Sequence, residues 1–153
     1  MQKKEMPLGL RFAIIGRCFK TVMDERLREH DVTGVQFSVL RELRRHEQEG
    51  SGELYQRDLE NVSHVTHPTM TEIIKRLERK GYIECRRSEN DRRHKCILST
   101  ERAKTLCSEV SAAEDYAVQR LFGNLTAEEF STLERLLDKI LANVDTIKGE
   151  TRE

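Results

Sequence analysis

Pro68 fixes where one helix of this chain must begin. A proline is tolerated in a helix only in the first turn, where its missing backbone donor does no harm, so the helix carrying Met70, Ile73, Ile74 and Leu77 opens at Thr66-His67-Pro68-Thr69. Thr66 is the expected cap, its hydroxyl accepting an orphan backbone N–H. Met70, Ile73, Ile74 and Leu77 form the inward stripe, while Thr69, Thr71, Glu72, Lys75, Arg76 and Arg79 point outward. A shorter helix and a turn precede it, and a charged hairpin around Asp91-Arg92-Arg93 follows. Small hydroxyls and a histidine at a helix start, with cations a turn or two later, suit a helix that puts its N-terminus on base edges and its flanks on phosphates.

Charge agrees once the chain is divided. Residues 54–100 hold 10 Lys and Arg against 7 Asp and Glu, residues 101–153 hold 7 against 11, and residues 1–53 hold 10 against 9, within a net charge of zero. A neutral total thus hides a mildly basic centre and an acidic end, and a polyanion meets local charge. Taken alone, such faces would be read as ordinary solvated helix surface.

The 153 residues fit one domain or a compact module with helical arms. With 37% hydrophobic and 35% charged residues, the core of a monomer is modest, which leaves apolar surface for a partner. No run approaches the roughly 18 apolar residues of a membrane span. The start Met1-Gln2-Lys3-Lys4-Glu5-Met6-Pro7 lacks the apolar core of a signal peptide, so the expected location is the cytoplasm. Cys18, Cys85, Cys96 and Cys107 are scattered without the close pairs of a zinc ribbon, and a reducing cytosol leaves them as thiols.

Helices dominate the rest. A long first helix is expected from about Leu8 to His30, with Leu10, Ile14, Cys18, Val22 and Met23 or Leu27 at three- and four-residue steps. Thr33-Gly34 marks the next start, and Val35, Val39, Leu40 and Leu43 give that helix its buried side. Gly50-Ser51-Gly52 is a turn. From Tyr82 to Leu98 the period becomes two, predicting a hairpin whose polar tip, Ser88-Glu89-Asn90-Asp91, lies in solvent. Glu101 to Leu121 returns to helix, with Ala103, Leu106, Val110, Ala113, Ala117 and Leu121 on one side. Thr126-Ala127-Glu128-Glu129 is a capping box that starts a last helix with Phe130, Leu133, Leu137, Ile140, Val144 and Ile147 in its stripe. A terminal stripe is ordinarily core. Here the first helix offers a second one at the other end, and the two exceed what the small central unit can cover. A helical dimer interface using Leu10, Ile14, Leu133, Leu137, Ile140 and Val144 is therefore expected.

Thr33-Gly34-Val35-Gln36-Phe37 with Val39-Leu40, then Gln56-Arg57-Asp58-Leu59, Thr66-His67-Pro68-Thr69-Met70-Thr71, Leu77-Glu78-Arg79-Lys80-Gly81-Tyr82-Ile83, and Asp91-Arg92-Arg93 leading to Leu98-Ser99-Thr100 together resemble the MarR family of bacterial regulators. The resemblance runs from about Leu8 to Ile147. It implies a mainly α fold with a small β-hairpin wing, a winged helix-turn-helix with N- and C-terminal dimerisation helices. The divisions are residues 1–32, an N-terminal dimerisation helix; 33–100, the DNA-binding domain; and 101–153, C-terminal dimerisation helices. Such a homodimer represses or activates transcription at a palindromic double-stranded DNA operator. A small organic effector, phenolic or anionic, would bind between the dimer region and the DNA-binding lobe, placed by resemblance near Arg17, Phe37 and the start of the second helix. The chain departs from its relatives at Ser63-His64, where an apolar residue and glycine are common, and at Tyr55, where a capping threonine is frequent.

Roles follow from chemistry. Thr66, His67, Thr69 and Thr71 are the candidates for base and nearby phosphate contacts, since threonine offers a hydroxyl to a base and its methyl to thymine. Lys75 and Arg76 would bind phosphates. Asp91 would orient an arginine, Arg93 by the family pattern, while Arg92 or Arg93 enters the minor groove. The plain alternative for the wing is a solvated hairpin with an internal ion pair.

Two other functions compete. One is a winged-helix module that binds protein and never DNA. The other is a thiol-based redox sensor, in which Cys85 and Cys96 face each other across a hairpin centred near Asn90 and Asp91, with Arg86, Arg87 and Lys95 lowering a thiol pKa. Enzymatic readings fare worse. His64 and His67 form no catalytic spacing, His30, His46 and His94 are dispersed, and no phosphate-cradling glycine loop or nucleophile elbow occurs, so no metal or cofactor is expected.

Overall fold

The computed structural model describes residues 6–63 and 65–144; His64 and Ile147, both singled out above, lie outside the described residues. Two compact units divide the chain, Met1–Glu114 and Asp115–Glu153. Helices α1 (Leu8–Glu29), α2 (Gly34–Glu49), α3 (Gln56–Ser63) and α4 (His67–Arg79) precede the hairpin of β1 (Ile83–Arg87) and β2 (Lys95–Ser99), and α5 (Glu101–Phe122) and α6 (Ala127–Leu141) follow. Among the described residues no helix is long and apolar enough to cross a membrane.

The core of the first unit gathers one stripe from each element. Phe37, Val39, Leu40 and Leu43 of α2 meet Leu59 of α3, Met70, Ile73, Ile74 and Leu77 of α4, Tyr82, Ile83 and Ile97 around the hairpin, and Ala103, Leu106 and Val110 of α5. The stripe expected of α4 is thus wholly buried. Val35 is not buried but 54% exposed. The inward side of the first turn of α2 is occupied instead by Gln36 and Phe37, and Gln36 is held there by a capping box in which the Thr33 hydroxyl accepts its backbone N–H and its side chain accepts that of Thr33.

Two glycines close helices in left-handed conformation, Gly50 after α2 and Gly81 between α4 and β1, with φ of 65° and 76°. The turn at Gly81 delivers Tyr82 into the core. Its ring lies under the Arg102 guanidinium, 4.6 Å from the centroid, and its hydroxyl donates to the His30 carbonyl at 3.1 Å.

The strands pair antiparallel with Ile83 opposite Ser99, Cys85 opposite Ile97, Arg86 opposite Cys96 and Arg87 opposite Lys95. The centre of the hairpin is therefore Asp91, half a residue beyond the expected one, and Cys85 does not face Cys96. Because side chains alternate, this slip of one residue puts the two thiols on opposite faces of the ribbon. A short third segment joins the sheet: the Leu54 carbonyl accepts Ile97 N–H at 2.9 Å, and Tyr55 bridges Cys96. The tip is less solvated than expected, since Ser88 is only 2% exposed. At the other end of β2, Glu47 of α2 accepts the Ser99 N–H at 2.8 Å, the Ser99 hydroxyl at 2.6 Å and Arg44 at 2.6 Å. Burial works to raise this carboxyl, but the bonds from Ser99 and Arg44 hold it below the usual range.

In the second unit the expected capping box opens α6, with Thr126 Oγ1 accepting Glu129 N–H at 3.2 Å and the Glu129 carboxylate accepting Thr126 N–H at 2.8 Å. Phe122 and Phe130 meet edge to face, centroids 5.9 Å apart. No residue of α6 is buried, and Leu136, Ile140 and Leu141 are exposed.

Candidate nucleic-acid interface

The pair α3 and α4 is held by one amide. The Gln56 side-chain N–H₂ reaches Glu60 at 2.8 Å and the Thr71 hydroxyl at 2.8 Å, and lies 3.2 Å from His67 Nδ1. His67 Nδ1 is 2.7 Å from the Glu60 carboxylate, and Thr71 donates to the His67 carbonyl at 2.9 Å. The Gln56 bond holds the Glu60 carboxyl below its ordinary value against a burial effect that raises it, with His67 adding to the lowering. Of the four residues expected at base edges, then, Thr71 is half-buried with its hydroxyl committed to the helix pair, and His67 is exposed but tethered.

Thr66 and Thr69 are exposed, and their hydroxyls lie 2.9 Å apart. Thr66 is the N-cap residue by backbone, but its side chain caps nothing, contrary to expectation. Pro68 has removed the donor at the second position, and the hydroxyl turns to that of Thr69. Asp58 does the corresponding work for α3, its carboxylate accepting the Tyr55 N–H at 2.9 Å.

Farther along α4, Lys75 is exposed and Arg76 is paired with Glu72 at 2.8 Å. In the wing, Asp91 accepts the Arg93 backbone N–H at 3.0 Å and its guanidinium through both oxygens at 3.2 Å, so Asp91 orients Arg93. Those bonds lower the Asp91 carboxyl. Arg92 is exposed and has no such partner among the described residues. Between α3, α4 and the hairpin runs a cleft of about 580 Å³ whose walls include Arg57, His67, Lys75, Arg93, His94 and Lys95.

The remaining expected residues are dispersed. Arg17 is exposed on α1, whereas Phe37 is buried in the core. Leu10, Ile14 and Ile140 are exposed, and Leu133, Leu137 and Val144 are half-buried. The expectation of a low-pKa thiol fails at Cys85: burial, then the nearby Glu78, push it up to about 11, against a smaller opposing effect of Lys95. Arg86, next to it in sequence, pairs instead with Glu84 at 2.6 Å. Among the described residues no three His, Cys, Asp or Glu side chains are grouped to hold a metal.

Sequence reasoning missed Glu53, which anchors the wing tip, and the bridging role of Gln56. Neither belongs to a local pattern, because their partners lie 35 and 15 residues away.

The profile of the MarR family matches residues 30–94. Among solved structures, wild-type MarR from E. coli in its apo form is 29% identical, with 89% of this chain and 98% of that chain covered and a TM-score of 0.66. The S. aureus MepR–DNA complex is 28% identical over 87% of this chain and 96% of that one, at a TM-score of 0.71. Over residues 30–94 the chain is similar to the MarR family, and it shares its fold with these solved relatives. Its fold is thus that of the winged-helix transcriptional regulators it resembles. The segment matched to the MarR family runs from the end of α1 to the wing, so α4 and the Asp91–Arg93 pair fall inside it.

Proposed function

We propose that this chain is a MarR-type regulator that binds a palindromic DNA operator as a homodimer, represses transcription there, and is released by a small phenolic or anionic effector. The observation that carries the reading is the co-presentation, on one compact unit, of the exposed Thr66 and Thr69 hydroxyls, the exposed Lys75 and the exposed wing Arg92 beside a cleft whose walls carry Arg57, Lys75, Arg93 and Lys95 along with Glu60 and Glu78. Thr66, His67 and Thr69 read base edges, and Thr71 acts by fixing the helix pair. Lys75 and Arg76 meet phosphates, and Arg92 enters the minor groove beside the Asp91-oriented Arg93. That MepR of S. aureus was solved in complex with DNA supports the partner.

The unburied apolar faces of α1 and α6 support dimerisation by residues 1–32 and 101–153, with 33–100 as the reading domain. Effector entry near Arg17 and the start of α2 rests on the family resemblance, and work in the cytoplasm follows from it. The test is a mobility-shift titration at two salt concentrations on DNA upstream of the coding gene. Phosphate contacts give a steep fall in affinity with salt. A flat dependence, or no shift, would instead favour a winged helix that binds protein.

A further inference from the structure

Glu53 sits just ahead of α3, outside the recognition helix and the wing, yet it collects more donors than any other carboxylate near the candidate interface. Its Oε2 accepts the Tyr55 hydroxyl at 2.7 Å, the Ser88 hydroxyl at 2.5 Å and the Asn90 amide at 3.0 Å, while Oε1 accepts the Glu89 backbone N–H at 2.8 Å. Three of those four donors belong to the wing tip. Ser88, with its proton given to Glu53, turns its lone pairs to the backbone N–H groups of Asn90 and Asp91, at 3.1 and 3.0 Å. The turn closes with Ser88 N–H on the His94 carbonyl and His94 N–H on that of Asp91. The backbone N–H groups of Glu89, Asn90 and Asp91, which lead into Arg92, are therefore traced back in one or two hydrogen bonds to a single carboxylate, while the Arg93 N–H beyond it is held by Asp91. Tyr55 strengthens the same anchor by setting its ring edge to face with His94, centroids 6.0 Å apart.

We infer that Glu53 is a positioning residue for DNA binding, fixing the wing turn in the one shape that presents Arg92 and Arg93 to the minor groove. The inference rests on the wing reading proposed above. The site requires an acceptor at both oxygens, which selects a carboxylate: an isosteric glutamine would aim its own N–H₂ at the Glu89 N–H or at the Tyr55, Ser88 and Asn90 donors, whichever way it turned. The hydrogen bonds also explain why the Glu53 carboxyl is held down to about 2, Ser88 contributing most.

The experiment uses the full chain and a fluorescent duplex selected by the wild-type protein from a random pool. Glu53→Gln, Tyr55→Phe and the double replacement Arg92→Ala, Arg93→Ala are compared by anisotropy, with the oligomeric state and unfolding midpoint of each measured in parallel. Glu53→Gln should weaken binding about tenfold and Tyr55→Phe about threefold, in line with losing charged and neutral hydrogen bonds. In the arginine-free background the same two changes should shift affinity less than about twofold, since coupled sites are non-additive. A merely structural residue would lower affinity equally in both backgrounds, and that result overturns the inference. So does wild-type affinity for Glu53→Gln or, should that variant misfold, for Tyr55→Phe. If the arginine replacements alone leave binding intact, the wing reading itself falls and this inference with it; if they weaken binding while Glu53→Gln does not, only the inference falls.

Discussion

Helices α4 and α6 are both amphipathic, yet they end differently. Every apolar residue of the α4 stripe is buried within its own chain, whereas α6 buries none and leaves Ile140 47% and Leu141 62% exposed. The same periodicity in sequence therefore serves two ends. In α4 it closes a core, which frees the opposite face to carry Thr69 and Lys75. In α6 it remains an open apolar surface, and in the first unit Leu10, Phe12 and Ile14 of α1 are likewise exposed. Burying such surface yields about 25 cal/mol per Å² of apolar area, so an unpartnered stripe of this kind is a standing drive to associate.

The sharpest way to break this contrast is to charge the open stripe. Replacing Leu137 and Ile140 together with Asp should yield monomers or insoluble chains, and operator binding should be lost with the dimer; size-exclusion chromatography and mobility shift check both. Soluble dimers of unchanged DNA affinity would show that α6 is not an interface.

On the closed side, the outward face of α4 should divide into reading and anchoring positions. Thr69→Ala should reorder operator variants by about 1 to 3 kcal/mol for a strong lost base contact. Arg76→Ala should weaken all sequences alike and reduce the salt slope by about 1. The division collapses if Arg76→Ala changes sequence preference and Thr69→Ala does not.

A smaller effect is expected from acid. Glu53 is held at about 2 against an ordinary 4.5, a folded-state depression, so its contribution is complete above 4.5 and disappears as the pH falls from there toward 2. Protection of the Glu89 and Asp91 amides, measured as exchange relative to the intrinsic rate at each pH, should fall across that window while amides of α4 stay protected. Uniform exchange in both would mean that wing and core open together.

The smallest effect is expected from oxidation. A neutral Cys85 thiol reacts poorly, and Cys96 is buried on the other face, so peroxide-treated wild type should bind DNA like a Cys85→Ser, Cys96→Ser double variant. Loss of affinity in the wild type alone would restore a thiol switch.

What could be read from the residues was what is local. Pro68 placed the start of α4, the four-residue spacing gave its buried stripe, and Thr126 with Glu129 marked the capping box of α6. The Asp91–Arg93 pair, two residues apart, was legible for the same reason. Hairpin register was not, because alternation alone leaves the turn centre undetermined by one residue, and that residue decides which face each cysteine occupies. Val35 was misplaced because one apolar residue in a first turn competes with a capping glutamine that the fold turns inward. The hydrogen bonds of Glu53 and Gln56 were invisible, since nothing in a sequence says which distant hydroxyls a surface carboxylate or amide will meet.

The chain has no tryptophan and three tyrosines, and the fold distributes these over three environments. Tyr82 is fully buried beneath Arg102, Tyr55 is half-buried against the wing, and Tyr116 is 61% exposed in the second unit. Ultraviolet emission therefore comes from tyrosine alone, with one emitter reporting the core, one the wing and one the terminal helices. Single Tyr→Phe subtraction spectra would turn the unlabelled protein into its own three-channel optical reporter, able to record wing release and core melting as separate signals in one titration.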